Sequence, residues 1–295
     1  MTDVVGRVVS ADTKTVVIER RDGQVRHVAV ADVVTWKPVP DRPLRRRRAL
    51  DIDADSLTAI TSSGWPAVET EMLGEWELRA AGGFTGRANS VATSGSPGIA
   101  PYEAIARVVE WYSDRSMPPM AQVVAGSPSE QDFTSAGWTP GNGFRSGAVV
   151  QVADLDPTYD PDPGVTVRTT LTDEWLTLYG RINENMAVAR RVIAGPPTVG
   201  FAQIGDPVEA IARVVVTGEW AGLSAVEVLP HRRRTGLATR LVTASLAWAV
   251  EHGADKAYLQ TMRDNTAALA LYKPFGFVHH HDYQYLQPTR SPARQ

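Results

Sequence analysis

"VLPHRRRTGLATRL", residues 228–241, begins at the end of an apolar strand, stops at Pro230, crosses three consecutive arginines and a Thr-Gly pair, and enters a run with helical apolar spacing. The first turn of a helix carries the positive pole of the dipole and N–H groups that have no partner inside the helix. Arg232, Arg233 and Arg234 are therefore like charges at a positive pole, an unfavourable arrangement unless something negative sits among them. A basic, glycine-containing loop between strand and helix is a seat for phosphate, because the N–H groups of residues 234–238 can converge on its oxygens. Gly236 lets the backbone approach closely, and Ala238 is too small to block it. The competing reading is an exposed arginine-rich loop before an ordinary helix. No Walker string occurs. "GNGFRSG" at 141–147 approaches a dinucleotide fingerprint, but its third glycine is one place late and strand-like residues follow, so it reads as a turn.

The 295 residues suggest about two domains, and an apolar fraction of 43% is enough to bury real cores. A net charge of −3 argues against a chain that binds nucleic acid by overall electrostatics. The absence of cysteine removes disulfides, thiolate catalysis and Cys-based zinc sites, and fits a reducing compartment. "MTDVVGRVVSADTK" has no basic start leading into an apolar run, and no stretch reaches the ~18–20 apolar residues of a membrane span. A cytoplasmic protein without a membrane partner is expected.

Outward from the loop, three segments separate. Residues 1–43 hold β-rich runs, with "RRDG" as a hairpin turn, and read as a small barrel-like module closed by "TWKPVPDRP". "LRRRRAL" after it reads as a solvated connector. Residues 45–155 mix strands ("EWELRAA", "RANSVAT", "AQVVAG") with helices ("PYEAIARVVEWYSDRS", "SPSEQDFTSAG"), and a Pro/Asp-rich break at 154–164 ends them. Residues 165–288 repeat that order: a strand, two helices, an antiparallel run through "AGLSAVEVLP", helix 236–252, the strand "KAYLQTM", the helix "NTAALALY" and a last strand "FVHHHDYQYL". The recurrence suggests an internal duplication too diverged to show as identity.

Arg233-Arg234-Thr235-Gly236-Leu237-Ala238, after a strand ending in "VLP", resembles the acyl-CoA loop of the GNAT superfamily of N-acetyltransferases. About 30 residues on, "RDNTAALALYKPFGF" resembles the family's second motif through Asn265, Ala268, Tyr272, Gly276 and Phe277. The likeness covers residues 165–288. Residues 45–155 resemble the degenerate half of tandem GNAT proteins, and the N-terminal module resembles the SH3-like barrel that precedes such tandems in actinobacterial members. The fold implied is α/β (α+β): tandem GNAT-like domains, each a mixed, mostly antiparallel sheet with flanking helices, behind a small SH3-like β-barrel. The domains would be 1–43, 45–155 (degenerate) and 165–288 (catalytic).

The resemblance further implies acetyl-CoA as co-substrate, no metal, and direct transfer to a primary amine within a ternary complex. Residues 234–238 would bind the pyrophosphate, helped by Arg233 and Arg234, and the backbone of Val226 and Val228 would hold the pantetheine where the strand splays at a bulge. Asn265 would touch the cofactor, or cap its helix, or both. Tyr272 would be the general acid for the departing thiolate, the alternative being a core tyrosine. Glu227, flanked by Val226 and Val228 and so facing away from them, is the candidate base, with Glu219 behind it; a solvent-facing strand residue is the competing reading. Lys273-Pro274 departs from the family pattern and should end the helix just after Tyr272.

"RAAGGF" at 79–84 is not an equivalent loop, so one acetyl-CoA site per chain is expected. Trp65, Glu69, Glu71, Glu75 and Trp76 would suit a cationic amine if clustered, although core tryptophans and exposed acids are the commoner arrangement. His279 and His281 would share a strand face but lack a third metal ligand. The acceptor is a small-molecule or protein amine, and nucleic acid is not an expected partner. Two rival functions stand beside the enzyme: a non-catalytic CoA-binding regulator, and a nucleic-acid or protein adaptor acting through the barrel and the arginine run.

Overall fold

β-branched runs punctuated by glycine and proline account for most of the strands, and capped amphipathic runs for most of the helices. The computed structural model describes residues 4–20, 23–36, 48–141, 146–160, 162–181 and 185–289. It divides into two units, 1–46 and 47–295.

In the first unit β1 (Arg7–Ala11), β2 (Thr15–Glu19) and β3 (Val25–Ala29) pair antiparallel in that order. Asp12 Oδ1 accepts from the N–H groups of Lys14 and Thr15, both at 2.7 Å, and so fixes the first turn. β1 and β3 do not pair, so the described residues of the expected barrel form a three-stranded antiparallel sheet. The expected "RRDG" turn includes Arg21 and Asp22, which lie outside the described residues, as do residues 37–47 with most of the arginine run.

The second unit contains, in chain order, α1 (Ala54–Gly64), β4 (Glu69–Leu73), β5 (Trp76–Ala80), β6 (Val91–Ala92), α2 (Pro101–Asp114), β7 (Ala121–Val124), α3 (Pro128–Ser135), β8 (Trp138–Pro140) and β9 (Ala148–Asp154). β10 (Thr166–Arg168), α4 (Asp173–Tyr179), α5 (Met186–Ile193), β11 (Val199–Ile204), β12 (Ala210–Thr217) and β13 (Trp220–Val228) follow. α6 (Leu237–Glu251), β14 (Lys256–Thr261), α7 (Thr266–Tyr272) and β15 (Val278–Pro288) complete it. Side-chain caps start several helices as the sequence suggests: Ser127 accepts from Glu130 N–H and Thr172 from Trp175 N–H. α1 was not read from the sequence. Its "ADSLTAITSSG" has weak helix formers, and the cap of Asp53 on Ser56 N–H (2.7 Å) was the available signal.

One sheet runs through the whole unit in the order β10-β11-β12-β13-β14-β9-β15-β7-β6-β5-β4, with β8 on β15. The parallel pairs are β13/β14 and β6/β7; the others are antiparallel. β9, from the first half of the unit, lies beside β14, and β15, from the second half, lies beside β7, so each half closes on the other's last strand. The segments 45–155 and 165–288 therefore share one sheet.

Alternation distributes the side chains between two faces. Val214 and Val216 pack with Val242 and Leu246 of α6, while Val215 points to α1, where a Cβ on Gly64 would meet it and would fall on Tyr258 Oη. Two fully buried arginines tie α1 to the sheet. Arg213 of β12 donates to Gly64 O (2.9 Å) and Ile193 O (2.7 Å). Arg79 of β5 donates to Ser62 Oγ (2.9 Å), Ser90 O (2.8 Å) and Gln122 Oε1 (2.8 Å). Burial lowers the pKa of both, Arg213 to about 10, and these acceptors stand in for the water each has lost.

Leu286 of β15 is fully buried among Trp76, Val108, Phe133 and Trp138 of the first half. Leu286→Ala should lower stability by about 2–5 kcal/mol. Urea titrations should show the loss as one shifted transition, coincident by tryptophan fluorescence and far-UV circular dichroism.

Candidate active site

β13 is where the sheet opens. It pairs with β14 from Trp220↔Lys256 to Leu223↔Leu259, and there the pairing stops although both strands continue. On its other edge Arg213 pairs with Ser224 and Ile211 with Glu227, so Ala225 and Val226 together oppose Ala212. This is a β-bulge, and Ala225 takes φ +53 in it. The extra residue bends β13 away from β14 and leaves a slot along which, among the described residues, the two strands share no backbone pairing.

The slot leads to the arginine loop. Pro230–Arg232 form a 3-10 turn, Arg234 has φ +64, and Gly236, at φ +86, is the N-cap of α6 without any side-chain cap. No acceptor is recorded, among the described residues, for the N–H groups of Arg234, Thr235, Gly236, Leu237 and Ala238. A Cβ built on Gly236 would meet nothing within 4 Å, so the space before the helix is open. These donors at a helix start fit a diphosphate. The arginines divide their tasks: Arg232 pairs with Glu209 (3.2 Å), Arg233 Nε donates to Val228 O (3.3 Å), and Arg234 stays exposed. Thr235 Oγ1 donates to Arg232 O at 2.6 Å and ties the loop to itself. Farther along α6, Arg240 grips Asp162 with two hydrogen bonds (2.6 and 2.9 Å), beside a shallow cleft that Asp160, Thr239 and Thr243 also line.

Val226 and Val228 pack with Leu237 and Leu241 beneath α6, so Glu227 faces the other way, as the alternation predicts. Its carboxylate is mostly covered and meets Arg181 Nη2 at 2.8 Å. Tyr272 ends α7 and is nearly buried among Leu223, Leu259 and Phe277, with the Phe277 ring edge-on at 5.5 Å. Burial pushes its hydroxyl well above the usual phenol range, and the Glu227 charge adds to the shift. No hydrogen bond to that hydroxyl is recorded among the described residues. Asn265 caps α7 by accepting from Ala268 N–H at 3.1 Å. As expected, Lys273-Pro274 ends α7 at Tyr272 and passes into a 3-10 turn.

Other expectations change. Glu219 sits at the far end of β13 on Lys256 Nζ (2.9 Å), away from the slot. Trp65, Glu69, Glu71, Glu75 and Trp76 do not form one cluster. Trp65 and Trp76 belong to different cores, while Glu69 pairs with Arg115, Glu71 accepts from Trp111 Nε1 (2.8 Å) and Glu75 from Ser96 N–H (2.7 Å). His279 and His281 do not share a face, because the register slips at His280 and they oppose the adjacent residues Gln151 and Val150. His279 binds Asp282 (3.0 Å) and His280 binds Ile52 O (2.8 Å), and no metal-holding group of residues occurs among those described. Residues 93–100 follow β6 as the arginine loop follows β13, whereas "RAAGGF" leaves the end of β5. That stretch has no basic residue, and α2 starts on Pro101, which has no N–H to offer.

Sequence reasoning missed Tyr179, Arg181 and Arg87. Tyr179 is nearly buried, and the charges of Arg87, Arg181, Arg213 and Glu227 all act on its hydroxyl. The three residues come from a helix end, a loop and a 3-10 turn, where no periodicity marks them.

Comparison with known proteins places the fold. The family described as "Probable histone acetyltransferase Rv0428c C-terminal" matches residues 50–286. The "Probable histone acetyltransferase Rv0428c" of Mycobacterium tuberculosis is 31% identical, over 99% of this chain and 90% of its own. Among solved structures, a GCN5-related N-acetyltransferase from Kribbella flavida superposes with a TM-score of 0.59 at 17% identity, covering 81% of this chain and 96% of that one. A tandem GNAT protein from the clavulanic acid biosynthesis pathway gives 0.50 at 16% identity, covering 65% and 70%.

Gly236→Val places a β-branched residue at φ +86. It should cost about 1–2 kcal/mol in denaturant titrations, through backbone strain alone since the space is open. The Arg240 hydrogen bonds pull Asp162 down from 3.8 to about 2, so this pair's contribution to stability is complete above pH 3.8 and lost as pH falls through about 2. Carbon-13 NMR titration of Arg240→Gln should find Asp162 back toward its ordinary value.

Proposed function

Because the chain belongs to the GNAT superfamily of N-acetyltransferases, within the family of the Rv0428c C-terminal region, we propose that it transfers the acetyl group of acetyl-CoA to a primary amine in a ternary complex, with Tyr272 as general acid and Glu227 as base. One observation carries the reading: β13 leaves β14 after Leu223 and Leu259 and runs straight into a helix start whose N–H groups are open. A slot along which the two strands share no backbone pairing suits a chain of amides, and the loop at its end suits a diphosphate. Acetyl-CoA supplies the acyl group as a reactive thioester.

The backbone of Val226 and Val228 would hold the pantetheine amides. One of its acceptors, Val228 O, is engaged by Arg233, so that guanidinium would have to swing toward the phosphates. Residues 234–238 would bind the diphosphate through their N–H groups, with Arg234 adding charge. Asn265, already the cap of α7, would reach the co-substrate only with a second hydrogen bond. Arg181 must release Glu227 before that carboxylate can accept a proton.

The amine lone pair then attacks the carbonyl carbon. The C–N bond forms as the C–S bond breaks, the departing sulfur takes the Tyr272 proton, and the amine proton passes to Glu227, directly or through water. Proton exchange with solvent restores both side chains. Burial keeps Tyr272 protonated throughout the neutral and mildly basic range, so it holds a proton to give. Transfer inside one complex needs no enzyme nucleophile.

We further propose that the second unit is a duplicated GNAT domain with one acetyl-CoA site. The same run of pairings, antiparallel, antiparallel, parallel, antiparallel, occurs from β4 to β15 and from β11 to β9, which supports it. So does the lack of basic residues in 93–100.

Calorimetry with coenzyme A should give one site per chain, weakened at least tenfold by Gly236→Val. Absence of uptake by the wild type overturns the reading. Tyr272→Phe keeps the buried ring, so melting and coenzyme A affinity should hold while kcat falls about 10²–10⁴-fold. The wild-type rate should show no decline from Tyr272 ionisation up to pH 10.

A further inference from the structure

Acetyl transfer leaves unexplained the positive charge on the face of the slot opposite α6. Glu227 supplies negative charge there, and Arg181 neutralises it. Arg87 and Arg213 form no ion pair among the described residues, and their guanidinium groups lie together over the Trp65 ring, 4.3 and 4.8 Å from its centroid. Arg213 is fully buried and adds only its field. Arg87 is partly exposed and can touch a ligand.

Arg87 is also held in place. Its guanidinium lies 4.3 Å from the centroid of the buried Trp65 ring, whose Nε1 is fixed on Thr85 Oγ1 (3.0 Å). Its Nη1 donates to Gln260 Oε1 at 3.1 Å, on the part of β14 just beyond where β13 departs. The turn that carries it is braced by Asn89, which accepts from Ala81 N–H (2.8 Å) and donates to the carbonyls of Phe84 and Thr85 (both 2.8 Å). A guanidinium has five N–H donors in a planar fork, and one is accounted for here. A fixed, stacked arginine with open donors is built for a carboxylate or phosphate. A lysine-rich acceptor would instead meet two uncompensated positive charges.

Resting on the acetyl-transfer reading above, we infer that the acceptor is a primary amine that also carries an anionic group, and that Arg87, contributed by the first half of the second unit, binds that group. The first half thereby acts in acceptor selection through a residue that reaches the mouth of the slot.

The test compares initial rates at saturating acetyl-CoA for matched amines: β-alanine against its amide, phosphoethanolamine against ethanolamine, and a lysine-rich peptide. The wild type should favour the anionic member of a pair about 10- to 100-fold in kcat/KM, and whichever pair shows the larger ratio distinguishes carboxylate from phosphate. Arg87→Gln should collapse that ratio to about one, mainly through KM, and Arg87→Lys should restore part of it; thermal melting of both variants checks the fold. Preference of the wild type for the neutral amines or the peptide, turnover of no anionic amine, or an equal loss on all amines in Arg87→Gln overturns the inference. Coenzyme A calorimetry on the same samples separates the failures: intact uptake without the anion preference sinks this inference alone, and absent uptake sinks the acetyl-transfer reading beneath it.

Discussion

The parting of β13 from β14 is the constraint on which the site depends. A parallel strand pair in the middle of a sheet normally satisfies its backbone groups on both edges, and opening it removes hydrogen bonds that the interior does not replace. The bulge at Ala225 makes the opening possible, holding a non-glycine residue at φ +53, a conformation worth about 1–2 kcal/mol of strain. Arg234, in the loop that follows β13, is a second non-glycine residue at positive φ. Such strain persists only where the surroundings over-determine it. Here the surroundings are the Val226–Val228 contacts with Leu237 and Leu241 beneath α6, and the pairing of β12 that resumes beyond the bulge.

Strand exchange keeps that opening from loosening the rest. Because β9 closes the second half and β15 closes the first, the edges a split sheet would otherwise present are covered by strands anchored across the unit. The buried arginines work in the same direction. Arg79 and Arg213 both reach the C-terminal end of α1, where carbonyls and the negative end of the helix dipole favour a cation. α1 is thus fastened to strands of both halves, and the Arg87 turn comes to lie against Gln260 of β14.

Much of the local structure was legible along the chain because it is set by a few neighbouring residues. The "VLPHRRRTGLATRL" loop carries its own glycine, charges and helix start, and in the structure α6 does begin just after Gly236, which is left-handed and gives no side-chain cap. Alternation correctly turned Glu227 away from Val226 and Val228, and proline chemistry ended α7 at Tyr272. The failures share a cause. A site of tryptophans and acids, the less common reading of residues 65–76, rested on nearness in sequence, but two-residue periodicity and a hairpin sent its members to different partners. The His279–His281 face was lost to a single slipped residue, since one extra residue moves a side chain to the other face.

The amino-acid string alone therefore determined the local elements: which runs are strands or helices, where a helix starts with open N–H groups beside positive charge, and which superfamily those motifs resemble. Propensity, capping and periodicity act over a few residues and leave their mark there. Tertiary structure decided where the sheet parts, which half closes on which strand, and that Arg87, Arg181, Arg213 and Glu227 share one face. Those outcomes depend on register, burial and the satisfaction of polar groups between segments more than a hundred residues apart, and no short stretch of sequence encodes them.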